Sequence, residues 1–239
     1  MQDVPLFSQA GIAASDQRLL QTHQLLLARY GPPPPRVPRD PLSQLIYSML
    51  ASRTKTDDAN HTFRLLEARY ATNANWDALR DAPLAELEQA IAGVTFPELK
   101  APRLLAVLAG ITTRYGSLTL DFLAKYRTEK IREWLEGFEG IGAQISAAVV
   151  NFSTLRRRAL CVDANHLRVV QRLGLTPRAD ADTTELRLMR LVPDTWDAAM
   201  LDEHHSLVKL HAQTLCTFAE PKCADCPLKA ICRYAQRNP

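Results

Sequence analysis

Apolar residues along this chain recur three and four positions apart, the spacing that puts them on one face of an α-helix. "SDQRLLQTHQLLLARYG" shows it first, with Ser15 or Asp16 as the cap and Gly31 as the stop. "RDPLSQLIYSML" opens on an Asp40 cap with Pro41 at the first helical position. The same period runs through "TDDANHTFRLLEARY", "PLAELEQAIAG", "LKAPRLLAVLAGITTRYG" and "TEKIREWLEG". It continues through "AQISAAVVNFS", "ANHLRVVQRLG", "DTTELRLMRLV" and "WDAAMLDEHHSLVKLHAQTL". Strand-like alternation is weak throughout. The expectation is an all-α chain of about ten helices joined by short loops.

Three stretches break the helical period. "GPPPPRVPRDP" at 31–41 favours polyproline II and separates the first helix from the rest. "STLRRRALCVD" at 153–163 is a basic loop leading into a short apolar run. "EGIGAQ" at 139–144 places two glycines around Ile141, directly before a helix. Glycines permit a turn with positive φ, and Ile141 is expected to anchor that turn in the core. The first N–H groups of the following helix have no partner within it and form an anion site. A plain αα-hairpin with close helix packing is the other reading of the same residues.

Composition narrows the class. With 46% hydrophobic and 23% charged residues among 239, the chain is globular and not disordered. No apolar run approaches the ~20 residues of a membrane span. "MQDVPLFSQAG" lacks the basic and apolar regions of a secretory signal, so the expected location is cytoplasmic. The net charge of +3 neither requires nor excludes a polyanion partner, because a basic face can sit within it.

Four of the five cysteines, Cys216, Cys223, Cys226 and Cys232, fall near the C-terminus with the spacing C-x6-C-x2-C-x5-C. In a reducing compartment such a group reads as a metal site before a disulfide framework. The wide outer spacings suit a four-iron cube; zinc and free buried thiols remain alternatives. Cys161, within "ALCVD", reads as a small core residue. Asp163 follows that run and precedes "ANHLRVVQRLG". It reads as a helix N-cap, as a catalytic carboxylate, or as both.

The order of glycine hairpin, aspartate and cysteine group resembles the endonuclease III branch of the helix-hairpin-helix DNA glycosylases. "HAQTLCTFAEPKCADCPLKAIC" is similar to that family's cluster loop, and "VDANHLRVVQRLG" to its VDTHVxRVxxRLG segment. "MLASRTKTD" resembles its LLSxQxxD helix end, and "PELKAPRL" its YxxKAxxI helix. The resemblance covers roughly residues 15–235. It implies two helical lobes flanking a DNA-binding groove: a six-helix domain at 35–155, and an iron–sulfur domain made of 1–34 and 156–239. It implies a monomer acting on double-stranded DNA in the nucleoid, excising a damaged or mismatched base after flipping it out. Asp163 would be the catalytic carboxylate. Gly140, Ile141 and Gly142 would hold a DNA phosphate, and the four cysteines a [4Fe–4S] cluster. Lys222 and Arg233 are placed for DNA contact or are ordinary solvated charges.

The departures from the family pattern are as informative. Bifunctional members carry a lysine two residues after the second hairpin glycine, which attacks the sugar and cuts the strand. Here that position is Gln144, whose amide nitrogen is not a nucleophile. Arg53 stands where the family often has a glutamine that fills the gap left by the flipped base. Ala164–Asn165 replaces a Thr-His pair beside Asp163. The expectation is a glycosylase without lyase activity. A catalytically impaired relative that binds abasic or distorted DNA, and a redox protein whose hairpin merely packs helices, are the alternatives.

Overall fold

The computed structural model describes residues 9–72 and 75–237, with side chains from residue 17 onward. Among the described residues there are twelve α-helices and two isolated β-bridges but no strand. They are α1 (Gln9–Tyr30), α2 (Pro41–Ala51), α3 (Thr56–Tyr70), α4 (Asp77–Arg80), α5 (Leu84–Ala90) and α6 (Pro97–Tyr115). Then come α7 (Thr128–Glu136), α8 (Ala143–Phe152), α9 (Ala164–Leu173), α10 (Ala181–Met189), α11 (Ala198–Thr214) and α12 (Arg233–Arg237). No helix among the described residues is long and apolar enough to cross a membrane.

Helix ends follow local chemistry. Asp40 accepts the Ser43 N–H at 2.9 Å and Pro41 opens α2, as the sequence indicates. Gly31, at φ 73°, closes α1 by donating to Leu27 O at 2.8 Å. At the other end α1 begins at Gln9, so Ser15 and Asp16, expected as its cap, lie inside it. The alanine-rich "AGIAA" ahead of them has enough helix propensity to extend the helix backward. The four-residue α4 is too short to show a period and was not expected from the pattern.

The chain divides into two compact units, one of residues 36–157 and one of residues 1–35 with 158–239. In the first, α2 is the central helix and packs against α8, α3 and α6. Leu42, Leu45, Ile46 and Leu50 of α2 are buried, each worth about 1.5–3 kcal/mol when fully removed from water. The buried Trp76 indole donates to Ser43 Oγ at 2.9 Å, which satisfies both polar groups. The Arg39 guanidinium lies over the Tyr47 and Phe63 rings, at 4.2 and 4.8 Å, and Arg36 lies over Phe152 at 4.0 Å. These contacts fasten the end of the proline run to this unit.

In the second unit α11 packs against α9 and α1. Leu19, Leu26, Leu160, Val169, Leu173, Leu201 and Val208 are buried in one core there. Arg158 binds the carbonyls of Trp196, Val192 and Pro193 at 2.9–3.2 Å. It therefore works as an internal tie for the segment ahead of α11.

Candidate functional site

Four features carry chemistry, and each lies within one unit. The first is the hairpin between α7 and α8. Gly140 has φ 90°, a conformation that favours glycine, while Ile141 is buried and donates to Phe138 O at 3.1 Å. Gly142 differs from the sequence expectation. Its φ is −99° and ψ −177°, extended backbone open to any residue, and a Cβ there would meet no protein atom within 4 Å. Gly142 caps α8 with no side-chain hydrogen bond, and the amides that open the helix have no acceptor within it. The exposed Gly142 at this helix start leaves room for close approach by an anion. Ser146 binds Glu136, and Arg132 Nε reaches Glu136 Oε1 at 3.2 Å and Ser146 Oγ at 3.1 Å, which clamps α7 to α8 behind the turn. Gln144 is half-buried in the first turn of α8.

The second is Asp163. Its side chain accepts the His166 N–H at 2.8 Å and caps α9, so the capping reading holds. Burial works to raise its pKa, but the His205 ring, the His166 amide and the Lys209 ammonium outweigh it and hold the carboxyl below its ordinary value. His205 is one helical turn before Lys209 on α11, and its Nδ1 donates to Cys161 O at 2.8 Å. Behind Asp163 lies a packed set of imidazoles that no local pattern announces. The His166 ring sits 6.0 Å from that of His205 and 5.4 Å from that of His204, and His204 lies 5.6 Å from His23. Burial pushes His166 down to about 3 and His204 well below the usual histidine value. His23 Nε2 meets Glu203 at 3.2 Å.

The third is a pocket lined by all four clustered cysteines together with Val169, Leu173, Leu215, Leu228 and Tyr234. Cys226 Sγ lies 3.6 Å from His211 Nε2, and Arg172 Nη1 lies 3.3 Å from Cys216 Sγ. Burial, with the neighbouring thiols adding, pushes the Cys226 thiol up to about 11. Thiolates there need a positive centre to balance them. Among the described residues no three His, Cys, Asp or Glu side chains are grouped to hold a single metal ion. Four sulfurs lining one pocket fit a larger group such as a four-iron cube. Lys222 is exposed on the same loop. Arg233 is also exposed, but its stem packs on Gly174, where an added Cβ would come within 2.3 Å of Arg233 Cδ. Cys161 is buried at 4% exposure, as its setting in the sequence suggests.

The fourth is the turn after α2. Ser52 has φ −56° and ψ 119°, Arg53 has φ 58°, and Thr54 N–H donates to Ala51 O at 3.1 Å. This is a type II turn with Arg53 where glycine is favoured. Its guanidinium lies 5.6 Å from the ring of Phe96, which is 45% exposed and also left-handed at φ 58°. Sequence reasoning singled out Arg53 and missed Phe96; the only signal was an aromatic residue before a helix-opening proline.

Residues 46–194 match the family described as HhH-GPD superfamily base excision DNA repair protein. Over 174 residues the chain is 28% identical to DNA glycosylase/AP lyase ROS1 of Arabidopsis thaliana, covering 67% of this chain and 12% of that protein. It thus spans about an eighth of that relative's length. It is 27% identical to endonuclease III of Bacillus subtilis (strain 168), covering 82% of each. The structure of a trapped endonuclease III–DNA covalent intermediate superimposes with a TM-score of 0.76 at 22% identity, over 93% of this chain and 98% of that one. That likeness shows a shared helical fold.

Proposed function

The chain belongs to the HhH-GPD superfamily of base excision DNA repair proteins, and from that premise we infer that it is a monofunctional DNA glycosylase. It hydrolyses the bond between a damaged or mismatched base and its sugar in duplex DNA, and leaves the strand uncut. The observation that carries this reading is Asp163, a half-buried carboxylate held ionised at a helix start, in a chain with Gln144 at the hairpin lysine position.

The chemistry follows from those two residues. As the C1′–N bond breaks, its electron pair leaves with the base and the sugar becomes cationic. The Asp163 carboxylate stabilises that charge and accepts a proton from the water whose oxygen bonds to C1′. The departing base takes its proton from solvent. Gln144 cannot form a Schiff base, so β-elimination has no starting point. The hairpin amides hold a phosphate oxygen, and Arg53 fills the space of the flipped nucleotide. Cys216, Cys223, Cys226 and Cys232 would hold a [4Fe–4S] cluster, which shapes the loop carrying Lys222 for contact with DNA.

A second reading, a binder of abasic or distorted DNA without catalysis, is favoured by one observation. Asn165, beside Asp163, is engaged by Arg168 Nη2 at 3.1 Å and so is drawn toward α11. Single-turnover base release and duplex affinity, measured for the native protein and for Asp163→Ala, separate the two. Release lost in the variant supports the glycosylase; no release from either, with equal affinity, supports the binder.

A further inference from the structure

The turn that carries Arg53 is tied down by a residue from another helix. Lys100, on the first turns of α6, sends its ammonium to Leu50 O at 2.6 Å, Ser52 O at 2.7 Å and Thr54 Oγ1 at 2.8 Å. Leu50 O lies in the last turn of α2, where backbone carbonyls lack helical partners. Ser52 O belongs to the first central residue of the type II turn. Thr54 Oγ1 in turn accepts the Thr95 N–H at 3.2 Å, and Thr95 precedes Phe96. One ammonium and one hydroxyl therefore fasten both left-handed residues, Arg53 and Phe96, to the same point. Their side chains, meeting at 5.6 Å, project from it as a pair.

A left-handed arginine and a left-handed phenylalanine are both unfavourable backbone states that persist only where the surroundings fix them. Either residue could relax if the turn were free to flip its Ser52–Arg53 peptide. Lys100 blocks that flip, because a flipped Ser52 carbonyl would leave the half-buried ammonium short of an acceptor. Burial already lowers Lys100 to about 8, so a lost acceptor there is costly. The three bonds thus favour the conformation that points Arg53 outward, which a gap-filling side chain needs in advance of binding.

We propose that Lys100 is the positioning residue that presets Arg53, backed by Phe96, as the probe inserted into the gap of damaged DNA. The inference rests on the gap-filling reading of Arg53 and adds the device that makes that side chain ready.

The test uses the full-length native protein, two duplexes, and needs no base release. One duplex is intact; the other carries a tetrahydrofuran abasic analogue opposite 2-aminopurine. Affinity is measured for both, and fluorescence of the 2-aminopurine reports insertion. The native protein should prefer the abasic duplex, and Lys100→Met should lose at least tenfold of that preference while binding intact DNA as before. Thr54→Val, which removes one acceptor and should fold readily, should lose about threefold. A preference retained in both variants overturns the role of Lys100 alone. Equal loss of affinity for both duplexes also overturns it, since that marks a merely structural lysine. A native protein with no preference overturns the gap-filling reading of Arg53, and the inference with it.

Discussion

Asp163 Oδ1 accepts the backbone N–H of His166 at 2.8 Å, so the carboxylate that the proposed function assigns to chemistry also starts α9. The two duties can be separated by substitution. Asparagine caps a helix as well as aspartate does, whereas alanine costs about 1 kcal/mol at such a site. Asp163→Asn should therefore melt close to the native protein, and Asp163→Ala several degrees lower. Both should lose base release by a factor of roughly 10² or more. Melting curves beside single-turnover rates check this, and retained release in Asp163→Asn would contradict the role of the charge.

The hairpin glycines should part company in the same way. Gly140 sits at φ 90°, so Gly140→Ala should cost about 1 kcal/mol of stability. Gly142 has ordinary backbone and open space, so Gly142→Ala should change stability by less than about 0.5 kcal/mol. If the hairpin holds a phosphate as proposed, the added methyl would stand in its way. Duplex affinity should fall about tenfold, on the order of 1.4 kcal/mol. Unchanged affinity would reduce the hairpin to a packing device.

Acid should weaken the unit that holds the imidazoles. His166, lowered to about 3, and His204, lowered well below the usual histidine value, stay neutral in the fold below the pH at which they charge in the unfolded chain. The unfolded state thus binds more protons as pH falls below about 6.5, and stability drops from there toward pH 3. Urea denaturation across that range should show the slope, and His204→Leu should flatten it. A flat native profile would contradict the buried neutral state.

Arg53→Gly offers a gain and a loss together. Glycine suits the i+2 position of the type II turn, so the variant should be stabilised by about 1 kcal/mol. It should also lose discrimination for abasic DNA. A variant that is no more stable would show that the surroundings relieve the strain at Arg53.

Much of this was legible in the sequence because it is local. The Asp40 and Asp163 caps, the Gly31 stop, the buried Ile141 and the spacing of the cysteines are each set within a few residues. What escaped is set by tertiary contact. His23, His166 and His204 come from three distant segments, and nothing in the neighbourhood of any one announces the others. Phe96 and Arg53 take left-handed backbone because Lys100 and Thr54 hold them, not because their own residue types favour it. Gly142 misled in the opposite sense. A glycine one residue from another suggested a second positive φ, whereas Gly142 is extended and an added Cβ would meet no protein atom within 4 Å.

Base release without strand cleavage is read most plainly as strand scission on a panel of duplexes carrying oxidised, alkylated and mismatched bases, with each reaction split and half treated with alkali. Cuts at one class of lesion in the alkali-treated half only are the result expected if Asp163 with water releases the base and Gln144 leaves the backbone uncut. Scission without alkali, or none on any duplex from cluster-loaded protein, would contradict that reading.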